Sequence, residues 1–375
     1  MTQVCDLLNI SPHFMRSVNL ERDFADARAL EGYIVTQEAE AHLKLLSNGL
    51  RKESGQRAWY LTGDFGSGKS SFALVLASLL GRPSAEVPES LRGLSSVLGV
   101  TSKSRRYLPV LVTGSREIMS HAVLRGLVAS LNSAIPSKQK LSCRNKASKL
   151  LTQDQIPDRD VVALIEAVAA ELVDGGHFGG ILLIIDELGK FLEFAALNPD
   201  AQDVFFLQSL AETAARSKEA PIQILGLLHQ GIAEYAEKLS ITAQREWAKI
   251  GERFGTLNFT QPLGQIATLL ASALGVDASR KEMKSWKGIA SDDMSASIDL
   301  GLFGPCSRKT GVAAACSELI SLTPGGSRTR EILPAVSSQN EQSLFGFLLS
   351  TEPFGLCAFA EQDATSGLGL STLRF

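Results

Sequence analysis

The sequence predicts an α/β fold in which helices cover both faces of a mostly parallel sheet. Between residues 57 and 259, five strand-like segments alternate with segments of helical periodicity, the pattern of parallel βαβ units. The segment 181–185 is continuously apolar, as expected for a strand buried on both faces. At 375 residues, the chain can form one large domain or two ordinary ones.

The helices are predicted from apolar residues on one side and from residues that start or stop a helix. They are 36–50, 69–80, 118–135, 161–173 and 201–217. Thr36 is a suitable N-cap for the first, and the acidic Glu38 and Glu40 suit its first turn. Pro136 ends the third helix, and the glycines at 175–176 end the fourth.

The strands are predicted from short runs rich in apolar residues. They are 57–62, 108–113, 181–185, 222–228 and the shorter 256–259. The first leads into a glycine-rich segment, and the third ends at an acidic pair. Because the carboxyl ends of parallel strands share one edge of a sheet, we expect these features to lie together.

Three regions are predicted along the chain. Residues 1–55 form a helical lead-in, 56–262 form the α/β core, and 263–375 form a helical or irregular region. In the last region, 263–274 is predicted to be helical and 343–349 is mostly apolar. Its Ser- and Gly-rich end is typical of a frayed terminus, or of a chain cut short relative to longer relatives.

The composition excludes several classes of protein. The net charge of −3 gives no global basic field for binding nucleic acid. Five cysteines, an odd number without a C-x-x-C pair, argue against a disulfide framework or a zinc ribbon. No stretch approaches the roughly 20 apolar residues of a membrane helix, and the start is not a signal peptide. We therefore expect a cytoplasmic protein without a membrane partner.

A phosphate-binding loop follows the first strand. Residues 63–70 match G-x-x-x-x-G-K-[ST], and the match lies between a strand and a helix, the arrangement this motif requires. The nucleotide-binding residues are predicted to be Gly63, Asp64, Phe65, Gly66, Ser67, Gly68, Lys69, Ser70 and Ser71. Lys69 should reach the β- and γ-phosphates of ATP, and Ser70 should bind Mg²⁺.

An acidic pair ends the third strand. Asp186 is predicted to be the second magnesium ligand, and Glu187 to be the base that activates water. The alternative is that the pair only caps the next helix. A base for water favours hydrolysis over transfer to a small acceptor, which disfavours a small-molecule kinase.

Two further residues are candidates for contact with the γ-phosphate. His229, or its neighbour Gln230, follows the fourth strand, where a polar side chain could sense the phosphate or be merely solvated. Arg253 lies at a helix-to-strand junction and could reach a neighbouring subunit's site. The alternative for Arg253 is a surface ion pair with Glu252 or Glu246, and Arg245 is a weaker candidate for the same role.

The motifs together resemble AAA-like ATPases of the additional-strand class. They are G-D-F-G-S-G-K-S (63–70), I-I-D-E-L-G-K-F-L-E (184–193), H-Q (229–230) and G-E-R-F (251–254). The resemblance implies a five-stranded sheet of order 5-1-4-3-2. It also implies that Arg253, in the Arg-Phe before the last strand, corresponds to the family's arginine finger.

More narrowly, the chain resembles the large bacterial ATP-binding proteins of phage-defence islands, including the P-loop components of BREX-type systems. The residues that carry this resemblance are 16–24, 186–190, 246–254 and 339–348. It implies a role in phage defence. Those relatives are usually much longer than this chain.

The preferred hypothesis is an Mg²⁺-dependent ATPase whose hydrolysis drives a conformational switch or remodels a protein or DNA client, within a homo-oligomer or larger complex. The first alternative is a slow ATP-binding signalling module without motor activity, and the second is a truncated, inactive protein. The basic stretch Lys138, Lys140, Arg144, Lys146 and Lys149 could touch nucleic acid, but without interleaved aromatic residues it favours a solvated loop.

Overall fold

A computed structural model of the chain describes residues 8–10, 17–101, 103–136, 138–139, 141–153, 155–198, 204–237, 239–261, 265, 269 and 274–276. The chain divides into two compact units, Val18–Thr260 and a second made of Met1–Ser17 with Gln261–Phe375. The predicted boundaries at residues 55 and 262 stay predictions. In the second unit, Leu8–Ile10 and Leu274–Val276 pair as antiparallel strands. The predicted helix at 263–274 and the apolar segment at 343–349 lie outside the described residues, apart from 265, 269 and 274.

Five parallel strands form the sheet of the larger unit. They are β1 (Ala58–Thr62), β2 (Tyr107–Thr113), β3 (Gly180–Asp186), β4 (Ile222–Leu228) and β5 (Gly255–Asn258). Every neighbouring pair is parallel, and the order across the sheet is β2-β3-β4-β1-β5. The predicted fold class and the order 5-1-4-3-2 are therefore confirmed. This order places the carboxyl ends of β1, β3 and β4 side by side.

The helices lie on both faces of the sheet. They are α1 (Leu20–Asp23), α2 (Gln37–Gly49), α3 (Lys69–Gly81), α4 (Glu89–Val97), α5 (Met119–Ala134), α6 (Ser142–Leu151), α7 (Asp158–Asp174), α8 (Leu188–Leu197), α9 (Phe205–Arg216) and α10 (Ile241–Gly251). Short 3₁₀ helices span Ala27–Leu30, Ser84–Glu86 and Ile232–Ala236. No helix in the described ranges is long and apolar enough to cross a membrane.

Alternate residues of β3 serve two hydrophobic cores. Ile181, Leu183 and Ile185 pack with α5 to α10, whereas Leu182 and Ile184 pack with α1 to α4. Successive side chains of a strand point to opposite faces, so a strand covered on both sides must be apolar at every position. All seven residues of β3 are buried, Asp186 included.

Three of the five residues of the basic stretch lie on a helix, not in the predicted loop, whereas Lys138 lies in a turn. Arg144, Lys146 and Lys149 lie on α6, whereas Lys140 is outside the described residues. The Arg144 guanidinium donates to the carbonyl oxygens of Ile135 (2.7 Å) and Leu131 (3.2 Å) at the end of α5. One cation of this stretch therefore joins two helices. Periodicity alone missed this because α6 is short and mostly polar.

Arg57 is a buried cation bonded to backbone carbonyls. Its guanidinium donates to Arg51 (2.9 Å), Lys52 (2.7 Å) and Ser54, in the turn between α2 and β1. A methionine would fill similar space but leave these oxygens without their donor, and each buried unsatisfied group costs about 1–3 kcal/mol. We expect Arg57→Met to lower the free energy of unfolding by about 3 kcal/mol, measured by urea denaturation.

Arg51→Met is the matched control for this prediction. Arg51 is exposed and lies in the same turn, so its replacement should change stability by no more than about 0.5 kcal/mol. Equal losses from the two variants would contradict the proposed structural importance of Arg57.

Glu171 of α7 holds the start of α6. Its carboxylate accepts from the backbone N–H groups of Ser142 (2.7 Å) and Cys143 (2.8 Å). Burial raises the pKa of Glu171, but the hydrogen bonds from Cys143 and Ser142 outweigh it and lower the pKa from 4.5 to about 2. The stabilisation is therefore complete above the unfolded pKa near 4.5 and is lost as the pH falls toward 2.

Glu171→Gln should remove this pH dependence. Between pH 4.5 and 2 its stability should fall less steeply than that of the wild type in denaturant titrations. The difference should be about 1 kcal/mol or less, because Glu171 is partly exposed and water screens its charge. Glu166→Gln, at an exposed position of the same helix, should keep the wild-type slope. Identical slopes for all three proteins would refute the assignment.

Candidate functional site

The glycine-rich loop connects β1 to α3. Gly66 (φ 75°) and Gly68 (φ 94°) lie in the left-handed region, which side chains rarely adopt, so the loop needs glycine at both positions. Gly68 ends the loop and α3 begins at Lys69. The Ser67 hydroxyl is buried and has no hydrogen-bond partner among the described residues. A free polar atom and a helix N-terminus at one loop suit an anion.

Lys69 points into this loop. It is only 7% exposed, and its ammonium donates to the carbonyl oxygens of Gly63 (2.5 Å) and Asp64 (2.7 Å). Burial lowers the pKa of Lys69 to about 8, although the nearby negative charges of Asp186 and Asp64 act to raise it. The ammonium group is thus held in place by the loop itself.

Asp186 lies beside the same helix start. It ends β3, is 7% exposed, and accepts a hydrogen bond from the Ser70 hydroxyl. Burial raises the pKa of Asp186, whereas the Ser70 bond, the Glu187 backbone N–H (2.9 Å) and the Lys69 charge lower it. The structure therefore brings Lys69, Ser70 and Asp186 together, as the sequence predicted.

The fold is that of a P-loop NTPase. Two features identify this fold. They are the parallel sheet of order 5-1-4-3-2 and the loop that leads from β1 into α3. What the P-loop binds is a separate question, which the chemistry of its side chains addresses.

Ser70 and Asp186 suit Mg²⁺ by their chemistry. Both offer oxygen atoms, and Mg²⁺ usually takes one or two protein oxygen ligands together with phosphates and water. The described residues contain no group of three or more His, Cys, Asp or Glu that could hold a metal ion. A site built from two protein ligands agrees with magnesium and disagrees with a structural zinc site.

Glu187 has a strained backbone. Its φ of 50° and ψ of 39° are left-handed, and it is the one non-glycine residue with positive φ in the described part of the chain. Its side chain makes no capping bond to α8 and instead forms an ion pair with Lys190. Strained backbone at a polar residue is typical of functional sites. The alternative that Glu187 only caps a helix therefore finds no support in its side-chain contacts.

Gly114 leaves space for the tight turn of the backbone at Glu187. Its N–H donates to the Asp186 carbonyl (2.8 Å), and a Cβ on Gly114 would lie 2.1 Å from the Glu187 carbonyl oxygen. Any larger residue after β2 would displace the Asp186–Glu187 backbone. This glycine was not among the predicted site residues, although its place just after a strand could have indicated it.

His229 contacts the P-loop, whereas Gln230 is exposed. The His229 ring stacks on Phe65, with 3.5 Å between ring centroids, and hydrogen-bonds the Gly63 carbonyl. Its Nδ1 lies 3.5 Å from the Lys69 ammonium. Burial and then the Lys69 charge lower the pKa of His229, which favours the neutral imidazole near pH 7. Of the two candidates at this strand end, His229 is the one that contacts Lys69.

Arg253 pairs with an unpredicted partner. It follows α10, and its guanidinium lies 3.1 Å from the Glu212 carboxylate on α9 rather than near Glu252 or Glu246. Glu246 pairs with Lys249 instead. Arg245 is exposed. The finger role of Arg253 stays a prediction, since it concerns a neighbouring subunit.

Two more residues lie around this edge of the sheet without having been predicted. Glu21 of α1 accepts from the backbone N–H of Thr113 (2.9 Å), which pairs with Asp186 across the sheet. Tyr235, in the 3₁₀ helix after β4, packs on Gly189 of α8. No sequence pattern marks Glu21 or Tyr235, because their positions depend on how distant segments pack.

Proteins similar to this chain are found among solved structures. No family model matches the chain. No curated protein matches it either. Solved structures similar to it include the Aeropyrum pernix ORC2 protein in ADPNP–ADP complexes, with 13% identity, 96% coverage of this chain, 85% of that chain and a TM-score of 0.41. The ADP form of the same protein shows 15% identity, 92% and 71% coverage, and a TM-score of 0.39. The strand order and the P-loop identify the fold without these two likenesses.

Proposed function

We propose that the chain is an Mg²⁺-dependent ATPase. The observation that carries the proposal is the convergence of Lys69, Ser70 and Asp186 at the carboxyl edge of the sheet, beside the N-terminus of α3. A buried cation, loop N–H groups and a helix N-terminus favour a polyphosphate, and the oxygens of Ser70 and Asp186 favour its magnesium ion.

Each residue has a distinct part in this proposal. The loop from Gly63 to Ser71 wraps the phosphates, and Lys69 moves from the loop carbonyls to the phosphate oxygens. Ser70 and Asp186 would hold Mg²⁺, which, when bound, neutralises charge on the phosphates. Glu187 accepts the proton of the attacking water. His229 would contact the γ-phosphate as a neutral donor once its one N–H leaves the Gly63 carbonyl.

Hydrolysis would drive a conformational switch or remodel a protein or DNA client. Arg253 would complete a neighbouring subunit's site in a homo-oligomer or larger complex, after leaving Glu212. A role in phage defence, suggested by the sequence resemblance, and a cytoplasmic location belong to the same proposal. The alternatives are a slow ATP-binding signalling module and a truncated, inactive protein, and the half-buried, strained Glu187 favours an active enzyme over both.

Phosphate release from ATP tests the proposal directly. The rate per subunit should be measured over a range of protein concentrations, with magnesium or EDTA, and with or without double-stranded DNA. Magnesium-dependent turnover supports the ATPase, and a rate per subunit that rises with concentration supports catalysis across an interface. Stimulation by DNA favours a DNA client. ATP binding without turnover under every condition would reject the enzyme and favour an alternative.

A further inference from the structure

We propose that Tyr235 is a positioning residue that holds the Glu187 turn and the His229 strand end in one fixed arrangement. The inference rests on the proposed function, because it concerns the two groups that would contact the γ-phosphate and its water. Tyr235 lies in the 3₁₀ helix Ile232–Ala236, outside the P-loop and outside every predicted site residue.

The first contact of Tyr235 is with the start of α8. A Cβ on Gly189 would lie 2.3 Å from the Tyr235 hydroxyl oxygen and 2.7 Å from Cζ, so the phenol ring lies against the backbone there. Gly189 is two residues after Glu187, in the first turn of the helix that the Glu187 backbone opens. Only a residue without a side chain allows this approach.

The second contact of Tyr235 is with the end of β4. The backbone N–H groups of His229 and of Gln230 lie within hydrogen-bonding reach of the Tyr235 hydroxyl oxygen. Burial raises the pKa of Tyr235, and the hydrogen bonds from these two backbone groups offset only part of that rise. One hydroxyl group therefore touches both the helix that follows Glu187 and the strand end that carries His229.

A third contact, between β4 and α8 themselves, joins the same two elements. A Cβ on Gly226 of β4 would lie 2.6 Å from Leu188 Cδ2, so the first turn of α8 also packs closely on β4. Close-packed groups transmit displacement because there is little free space to absorb it. A shift of His229 would therefore be passed to α8 and to Glu187, and Tyr235 is the polar part of this connection.

The expected effect of Tyr235→Phe is a loss of turnover without a loss of binding. The phenyl ring keeps the packing on Gly189, but the hydrogen bonds to the β4 end disappear. We expect kcat for ATP to fall about tenfold, equivalent to about 1.4 kcal/mol in the barrier. The Kd for ATP should stay unchanged, because Lys69 and the loop carry binding. Tyr60→Phe, at a half-buried tyrosine of β1, is the matched control and should keep the wild-type kcat.

A double-mutant cycle separates positioning from general structural support. If Tyr235 acts through Glu187, adding Tyr235→Phe to Glu187→Gln should lower kcat by less than twofold, since the group it positions is already gone. Gly189→Ala, which pushes the ring away without removing the hydroxyl, should reproduce the fall in kcat. It also keeps the test available should Tyr235→Phe fold poorly.

The outcomes distinguish this inference from the proposed function. Wild-type turnover in Glu187→Gln would overturn the proposed base, and the positioning inference with it. Loss of turnover in Glu187→Gln combined with wild-type kcat in Tyr235→Phe would overturn the inference alone. A tenfold fall that is repeated in full on the Glu187→Gln background, or a matching rise in the Kd for ATP, would show a structural role and also overturn it.

Discussion

Glu187→Gln is expected to bind ATP normally and to hydrolyse it at least about 100 times more slowly than the wild type. Glutamine keeps the size of the side chain and its hydrogen-bonding ability but cannot accept the proton of water, and general bases contribute about 10²–10⁴ to rates. The measurements are steady-state phosphate release and equilibrium binding of a fluorescent ATP analogue. A fall in kcat with constant affinity would mark a group needed in the transition state.

Glu193→Gln provides the comparison for this variant. Glu193 lies on α8, the helix that begins just after Glu187, is about half exposed, and has its carboxylate 3.8 Å from Arg116. It should retain wild-type turnover, because its carboxylate pairs with Arg116 rather than with a residue of the P-loop. Normal turnover in Glu187→Gln would remove Glu187 from the proposed chemistry and leave the nucleotide site itself intact.

The second large effect is expected at Lys69. Lys69→Ala should weaken ATP binding by about 100-fold, since a charge-assisted bond to phosphate in a partly buried site contributes about 1.5–3 kcal/mol. Titration calorimetry would measure the Kd. Lys218→Met, at an exposed lysine 3.6 Å from Glu53, should bind as the wild type does. Equal affinities in both variants would reject the phosphate role of Lys69.

Binding should also depend on pH through the same side chain. The pKa of Lys69 is lowered to about 8 in the free protein, so above pH 8 the ammonium is progressively neutral. Phosphate selects the charged form, so ATP binding above pH 8 must take up a proton, and affinity must fall as the pH rises. Calorimetry at pH 8.5 in two buffers of different ionisation enthalpy would detect the proton. Lys69→Arg, which stays charged, should show no uptake.

The residues of the site that could be predicted from the sequence are those at or just after the carboxyl ends of strands. A strand that runs into G-D-F-G-S-G-K-S and another that ends in Asp186-Glu187 must meet if the sheet is parallel and the strands are close. The family resemblance supplied the strand order, which places β4 between the two. The position of His229 then follows from the same geometry, because it comes directly after β4.

The rest could not be predicted because it depends on packing between distant segments. The contact of Arg253 with Glu212 joins the turn before β5 to α9, and no local pattern selects Glu212 over Glu252. Arg144 was expected in a solvated loop, but its guanidinium binds the last carbonyls of α5. Tyr235 reaches Gly189 only because the 3₁₀ helix after β4 folds back over α8.

The left-handed backbone at Glu187 brings thermal stability into conflict with catalysis. A glycine would adopt this conformation without the cost of about 1–2 kcal/mol that an ordinary side chain bears there, so Glu187→Gly should unfold at a higher temperature. It would also lack the carboxylate. Selection for heat resistance alone would therefore favour Glu187→Gly. The selected variant would lack the carboxylate on which the proposed enzyme depends.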